Sequence, residues 1–208
     1  PSTTLDRARA DLERALSLNP RIYWAYPEQT ALALLAARWA QKTGESPVDH
    51  FEAAAVAAQK ALAANPQNAV AYQSAAEVHR WRADWRLAEG RSVSEDLIEG
   101  RRLIEQSLDR NPGLARAMIT DAALKAIQAE SETDRRIRVA VATDAARTLQ
   151  RALEANPLLE RETTPLRDRI TALGAGTFAL LRWVPRPSIT VVDQSAPAVD
   201  GAFERRAV

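Results

Sequence analysis

Small and apolar residues recur along the chain at an almost constant interval. The recurrence is anchored by four Asn-Pro pairs, whose prolines Pro20, Pro66, Pro112 and Pro157 stand 46, 46 and 45 residues apart. Side chains twelve, eight and five residues before each proline share one helical face. We call the equivalent positions of the four units a column. The three columns consist of Ala8, Ala54, Gly100 and Ala145; Leu12, Ala58, Ile104 and Leu149; and Ala15, Ala61, Ser107 and Ala152. The pattern predicts a helix that ends at each Asn-Pro and packs closely against a neighbour.

Each unit also contains an internal break. A glycine that can end a helix is followed by a serine suited to capping the next one. At the closing pairs we expect the asparagine to adopt the left-handed conformation, and the proline cannot continue the helix. The internal breaks consist of Gly44, Ser46 and Pro47 in the first unit and Gly90, Ser92 and Glu95 in the second. About three helical hairpins are therefore predicted to stack between residues 5 and 157.

The predicted fold class is all-α, with about seven to eight helices in stacked antiparallel hairpins. Residues 1–173 form the array, and Thr164 and Pro165 begin a terminal helix that ends near Leu173 and covers the last hairpin. Residues 174–208 form a tail that is either extended or the start of a further domain. An ordinary helical bundle is the alternative, but several independent columns share one register, which favours a repeat array.

Composition excludes several classes of function. The chain has 28 basic and 27 acidic residues, so nothing predicts a nucleic-acid surface. It has no cysteine and no uncharged apolar run long enough to span a membrane. A cytoplasmic location is expected. Because the chain starts at Pro1 rather than at methionine, we expect it to be part of a longer protein.

The units resemble tetratricopeptide repeats over roughly residues 5 to 160. The small-residue columns and closing prolines match that family, as do Tyr26 and Tyr72 at its early aromatic position, with Met118 a weaker match. The resemblance implies a right-handed superhelix that binds proteins or peptides. The family's unit of about 34 residues is shorter, which implies longer helices here, and Pro27 is expected to delay or kink its helix. Gly44, Pro47 and the spacing further resemble the C-terminal repeat regions of bacterial serine/threonine protein kinases.

The chain shows no constellation of catalytic residues. His79-Arg80 begins like a kinase catalytic loop, but Trp81 stands where the aspartate is needed. His50 and His79 are the only histidines, so no metal site is predicted. The carboxylates of Glu95 and Asp96 are expected to be solvated or capping. No catalytic, cofactor-binding or metal-binding residue is proposed for this stretch of chain, although a parent protein could carry kinase activity.

The leading hypothesis is a non-catalytic scaffold that binds a protein or peptide partner. One alternative is the regulatory module of a serine/threonine kinase whose catalytic domain lies outside this sequence. The other is an RNA-binding helical-repeat protein, against which the balanced charge weighs. Neither nucleic acid nor membrane is expected as a partner, and the oligomeric state stays open.

The candidate binding surface is the inner face of the first helix in each hairpin. In the second unit the polar stripe Gln73, Glu77, Arg80 and Asp84 follows helical spacing, and Trp81 lies beside it. Arg38 is the charged residue at the equivalent place in the first unit. The alternative is a solvated face with local ion pairs. Trp39 and Trp85 are expected to pack inside their hairpins.

Overall fold

Helices are the only regular secondary structure in the part of the chain that its computed structural model describes, residues 2–19 and 22–174. This confirms the all-α prediction. The predictions for Pro20 and for the tail beyond Gly174 lie outside the described residues. The helices are α1 (Ser2–Leu18), α2 (Ala25–Thr43), α3 (Val48–Ala64), α4 (Ala69–Ala88), α5 (Ser94–Arg110), α6 (Ala115–Ser131), α7 (Arg135–Ala155) and α8 (Glu160–Leu173), with a 3₁₀ turn at Pro157–Leu159.

Three helical hairpins, α2–α3, α4–α5 and α6–α7, stack in sequence order. Their first helices contact one another, α2 with α4 and α4 with α6, whereas α3, α5 and α7 make no contacts among themselves. Each second helix also packs on the first helix of the next hairpin. Helix α1 contacts α2, and α8 packs on both α6 and α7. The predicted hairpins and terminal helix are thus present, while the right-handed superhelix stays a prediction.

The small-residue columns lie at tight contacts between helices. Ala54 is fully buried, and a Cβ added to Gly100 would lie 3.1 Å from both methyl carbons of Leu124. That separation is shorter than ordinary van der Waals contact. A side chain at this point of α5 would require Leu124 of α6 to shift by a few tenths of an ångström.

Gly44 and Gly90 end their helices as predicted. Their φ angles are +78° and +67°, in the left-handed region that glycine adopts at little cost. At the first break the Gly44 amide donates to Gln41, and the following amide donates to Ala40. The same pair of bonds recurs after Gly90. Both breaks are therefore Schellman turns, which satisfy carbonyls at the end of the helix.

The helices end at the Asn-Pro pairs, but the backbone conformation of the asparagine differs from the predicted one. Asn65, Asn111 and Asn156 are extended rather than left-handed, with φ between −144° and −149° and ψ near 90°. The following proline excludes the helical region for the residue before it, so an extended backbone ends the helix. Each Asn Oδ1 then accepts a hydrogen bond from the amide two residues later, at 3.1–3.2 Å. This side-chain turn directs the chain into the next helix.

Predicted helix starts are partly correct. Helix α2 begins at Ala25, two residues later in the 46-residue register than α4 at Ala69 and α6 at Ala115, so the delayed start expected at Pro27 is present. Pro27 itself lies in the first turn, where a proline is tolerated. Helix α5 begins at Ser94 without a side-chain cap, so the capping box predicted from Ser92 is absent. Helix α8 begins four residues before Thr164 and contains Pro165. In contrast, Ser46 does accept a bond from the Val48 amide, at 3.4 Å.

Candidate interaction surface

The predicted site residues of α2 and α4 come together around one indole ring. The guanidinium of Arg80 lies 4.2 Å from the centroid of the Trp81 ring, and that of Arg38 lies 5.4 Å from it. Arg38 belongs to α2, so the ring of Trp81 joins two successive first helices. Each stacked guanidinium contributes on the order of 0.5–1 kcal/mol at exposed sites. Trp81 is thus a bridge between hairpins rather than an isolated surface side chain.

Glu77 holds the arginine and the indole in place. Its Oε2 accepts from Arg80 Nε at 3.1 Å, from Arg80 Nη2 at 2.6 Å and from Trp81 Nε1 at 2.9 Å. Its Oε1 accepts from the hydroxyl of Thr120 on α6 at 2.6 Å, and Gln73 Nε2 donates to the same hydroxyl at 3.1 Å. The stripe of α4 therefore belongs to a network that extends from α2 to α6.

Glu77 is ionised in this network. Burial raises the pKa of its carboxyl, but the charge of Arg80 and the hydrogen bonds from Arg80, Thr120 and Trp81 outweigh burial, so the pKa lies below its ordinary value. The predicted central charge pair of Glu77 and Arg80 is present. Their side chains are only about one fifth exposed, at 22% and 16%. The local ion pair of the alternative interpretation is thus present, at a partly buried position.

Asp84, the last residue of the stripe, pairs with the terminal helix. Its Oδ1 lies 2.8 Å from Nη2 of Arg169 on α8. Arg169 also donates to both carboxylate oxygens of Glu130 on α6, at 2.6 and 2.7 Å. Burial lowers the pKa of Arg169, but these two carboxylates outweigh it and the net pKa is raised. The ion pairs of Arg169 thus join α4, α6 and α8.

Arg38 stands apart from these paired charges. It is exposed, and no ion pair joins it to a carboxylate in residues 2–19 or 22–174. Trp24, immediately before α2, and Val70 of α4 occupy equivalent positions of the repeat, and they expose 59% and 42% of their surface. Arg38 is thus accompanied on α2 and α4 by two exposed apolar side chains.

A second charged cluster was missed by sequence reasoning. Asp96 is fully buried, so the expectation that it is solvated or capping is wrong. Its Oδ1 lies 3.0 Å from His79 Nδ1 and 2.8 Å from Arg82 Nε, and its Oδ2 lies 2.8 Å from Arg86 Nη1. These partners follow at steps of three and four on α4, so they share the face that packs on α5. That spacing was the available signal.

The neighbouring Glu95 behaves as expected of a surface residue. Its side chain is 83% exposed and approaches Arg86 at 3.6 Å. For Asp96, burial raises the pKa, but hydrogen bonds from His79 and Arg82 and the charges of Arg82 and Arg86 outweigh burial and lower it. The cluster joins α4 to α5 and is a structural element of the second hairpin.

A groove of about 520 Å³ lies between α5, α6 and α7. Its central cation, Lys125, contacts Asp121 at 2.8 Å and Asp144 at 2.7 Å. Burial lowers the pKa of Lys125, but hydrogen bonds to the two carboxylates outweigh it and raise the pKa. Arg101 donates to Gln128 across the groove. Since these groups bind one another, the groove resembles a packing seam more than a ligand site.

Within the described residues, no group of three His, Asp or Glu side chains is arranged to hold a metal ion. No helix in the same part of the chain is long and apolar enough to cross a membrane. Comparison of the sequence with protein-family models and curated proteins, and with solved structures, finds no match. The geometry described above therefore carries the functional argument without support from a relative.

Proposed function

We propose that the chain is a non-catalytic scaffold of the tetratricopeptide type that binds a peptide or protein segment across α2 and α4. The support is the packing of the layers. First helices contact one another and second helices do not, so the first-helix side is the more closely spaced and hence the concave side of the stack. Concave faces of helical repeats are continuous surfaces suited to extended or helical partners.

The main support for this binding surface is the position of Arg38. Its guanidinium lies near the Trp81 ring, and no ion pair within the described residues satisfies its charge. Arginine and tryptophan are frequent anchors of interfaces because they combine a large contact area with directional hydrogen bonding. Gln73, Glu77, Arg80 and Asp84 then act mainly as the support that fixes this pair, since their polar groups are bound within the array. The partner segment carries apolar side chains for Trp24 and Val70 and an acceptor for Arg38.

Peptides selected from a random display library on the full chain provide the test. Their affinities are measured by fluorescence anisotropy for the wild type and for Arg38→Glu. We expect about tenfold weaker binding, because the variant reverses a charge that no ion pair within the described residues satisfies. The matched control is Arg102→Glu on the second helix α5, where Arg102 is also exposed. Unchanged affinity for Arg38→Glu, with unchanged helicity, would place the peptide site elsewhere.

A further inference from the structure

Helix α1 carries the repeat pattern of a second helix but lacks the neighbour that buries it. Its columns Leu5, Ala8, Leu12 and Ala15 are only half-buried. The equivalent residues of the other second helices are all buried: Phe51, Ala54, Ala58 and Ala61 in α3; Leu97, Gly100, Ile104 and Ser107 in α5; and Ala142, Ala145, Leu149 and Ala152 in α7. Those helices each follow a first helix, whereas α1 packs only on α2.

Helix α2 is also less covered than the equivalent helices α4 and α6. Leu35, Trp81 and Ile127 are equivalent residues of α2, α4 and α6, since each stands 46 residues after the one before. Leu35 is 52% exposed, Trp81 is half-buried and Ile127 is completely buried. The preceding first helix supplies the cover, as the contact of Arg38 with Trp81 shows. Nothing in the described chain takes that place for α2.

A charge lies in the same uncovered row. Glu28 is exposed, while its equivalent in α6 is Thr120, which is buried and donates to Glu77 of the preceding first helix. A helix packed before α2 would therefore place the residue equivalent to Glu77 opposite Glu28. A basic residue suits that position because it would pair with the carboxylate.

The opposite end of the array is closed. Helix α8 turns Ile170 and Leu166 toward α6 and α7, and its positions Arg161 and Asp168 are polar and exposed. Polar outer faces are typical of the terminal elements of repeat arrays. Within residues 2–19 and 22–174, the repeat-column residues that remain partly exposed therefore lie at one edge, which we call the N-terminal edge and define as Leu5, Ala8 and Leu12 of α1 with Glu28 and Leu35 of α2.

We propose that the N-terminal edge binds one amphipathic α-helix that has the pattern of this chain's own first helices. All three first helices bury alanine completely at two positions twelve residues apart: Ala25 and Ala37, Ala71 and Ala83, and Ala117 and Ala129. The occupant has the same two small residues, packs antiparallel to α1 as a first helix packs on the second helix of its hairpin, and carries a basic residue opposite Glu28. It continues the interface that α2 makes with α4.

The test uses a labelled peptide with the sequence of residues 68–91, in which Glu77 is replaced by arginine. Binding to the full chain is followed by anisotropy and by hydrogen exchange of the α1 amides. We expect a dissociation constant in the range of about 10–100 μM and slower exchange in α1. The control peptide carries Ala71→Glu and Ala83→Glu, which places carboxylates in the contact positions, and it should not bind.

Variants of the chain locate the site. Leu35→Glu should weaken binding about tenfold or more, whereas Ile98→Glu on α5, where Ile98 is 71% exposed, should leave it unchanged. Glu28→Lys should weaken binding of the arginine peptide, and the peptide that keeps Glu77 should then bind better. This exchange of charges tests the docking independently of any loss of fold.

Two results would overturn the proposal. One is no binding of the arginine peptide up to about 1 mM. The other is a concentration-dependent dimer in sedimentation that Leu35→Glu converts to a monomer, because a second copy would then occupy the edge. The Arg38 experiment concerns a different surface, so either proposal can fail while the other stands.

Discussion

Helices α1 and α5 carry the same pattern of small and apolar side chains, yet only α5 is enclosed. In α5, Gly100 and Ile104 are buried between α4 and α6, whereas Ala8 and Leu12 of α1 keep partial contact with water. The stability of a repeat array is approximately a sum of unit and nearest-neighbour contributions. One pattern therefore gives a large stabilisation where both neighbours are present and a small one at the edge.

The largest expected difference between interior and edge comes from removing an equivalent side chain in each. Phe51 of α3 is 2% exposed and its ring centroid lies 5.8 Å from that of Trp85. Phe51→Ala should lower the free energy of unfolding by roughly 3–5 kcal/mol, since it removes buried surface and leaves a cavity. Leu5→Ala, at the same column of α1, should cost less than about 1 kcal/mol. Urea unfolding followed by circular dichroism measures both.

Equal costs for the two variants would mean that α1 is as enclosed as α3, and the edge would then not exist as described.

Two tryptophans at equivalent positions of the first and second hairpins give a supporting comparison. Trp85 packs against the core with its ring beside Phe51, whereas Trp39 leaves 39% of its surface exposed. The position equivalent to Phe51 near Trp39 is Leu5.

The hairpins also differ in their charges, and the second prediction concerns this difference. Where the second hairpin buries Asp96 between Arg82 and Arg86, the first holds His50, Ala36 and Ala40 at the equivalent positions. Asp96→Ala should cost about 3 kcal/mol, the low end for a broken buried pair, because both arginines keep some access to water. Glu95→Ala is the matched control and should change stability by less than about 0.5 kcal/mol.

The cost of Asp96→Ala should depend on pH. The folded pKa of Asp96 is lowered relative to an unfolded value of about 3.9. The stabilisation from its charge is then fully present above that value and is lost as the pH falls through the folded pKa. The difference between wild type and variant should shrink below about pH 4. A difference that stays constant down to about pH 2 would show that the charge of Asp96 contributes nothing.

The repeat columns could be recognised from the sequence because close helix packing requires residues of similar size at a constant spacing. Glycine breaks were also readable, since Gly44 and Gly90 adopt backbone angles that other residues avoid. The stops at Asn65 and its equivalents were placed correctly but explained wrongly, because the proline rather than the asparagine sets the backbone. Asp96 was missed because burial of a carboxylate depends on partners from another helix. The hydrogen bond from Thr120 to Glu77 was not predicted for the same reason, because Thr120 lies on another helix.

The last prediction adds volume to one column instead of removing it. In α5, a Cβ at Gly100 would lie 3.1 Å from two carbons of Leu124 and 3.4 Å from the Cβ of His79. Gly100→Leu should therefore cost about 1–3 kcal/mol by overpacking, even though leucine is favoured over glycine in a helix by nearly 1 kcal/mol.

The matched variant at the edge is Ala8→Leu, in the same column of α1. Ala8 is half-buried, and within the described residues α1 packs only on α2, so the added carbons can remain in partial contact with α2 and water. We expect a change of less than about 0.5 kcal/mol in either direction. Gly100→Ala separates the two contributions in α5, because it gains most of the helix propensity and adds only the Cβ that meets Leu124. Stabilisation by Gly100→Ala together with destabilisation by Gly100→Leu would show that Leu124 can move to admit one carbon but not four. Destabilisation by Ala8→Leu as large as that by Gly100→Leu would instead indicate that another part of the chain already covers α1.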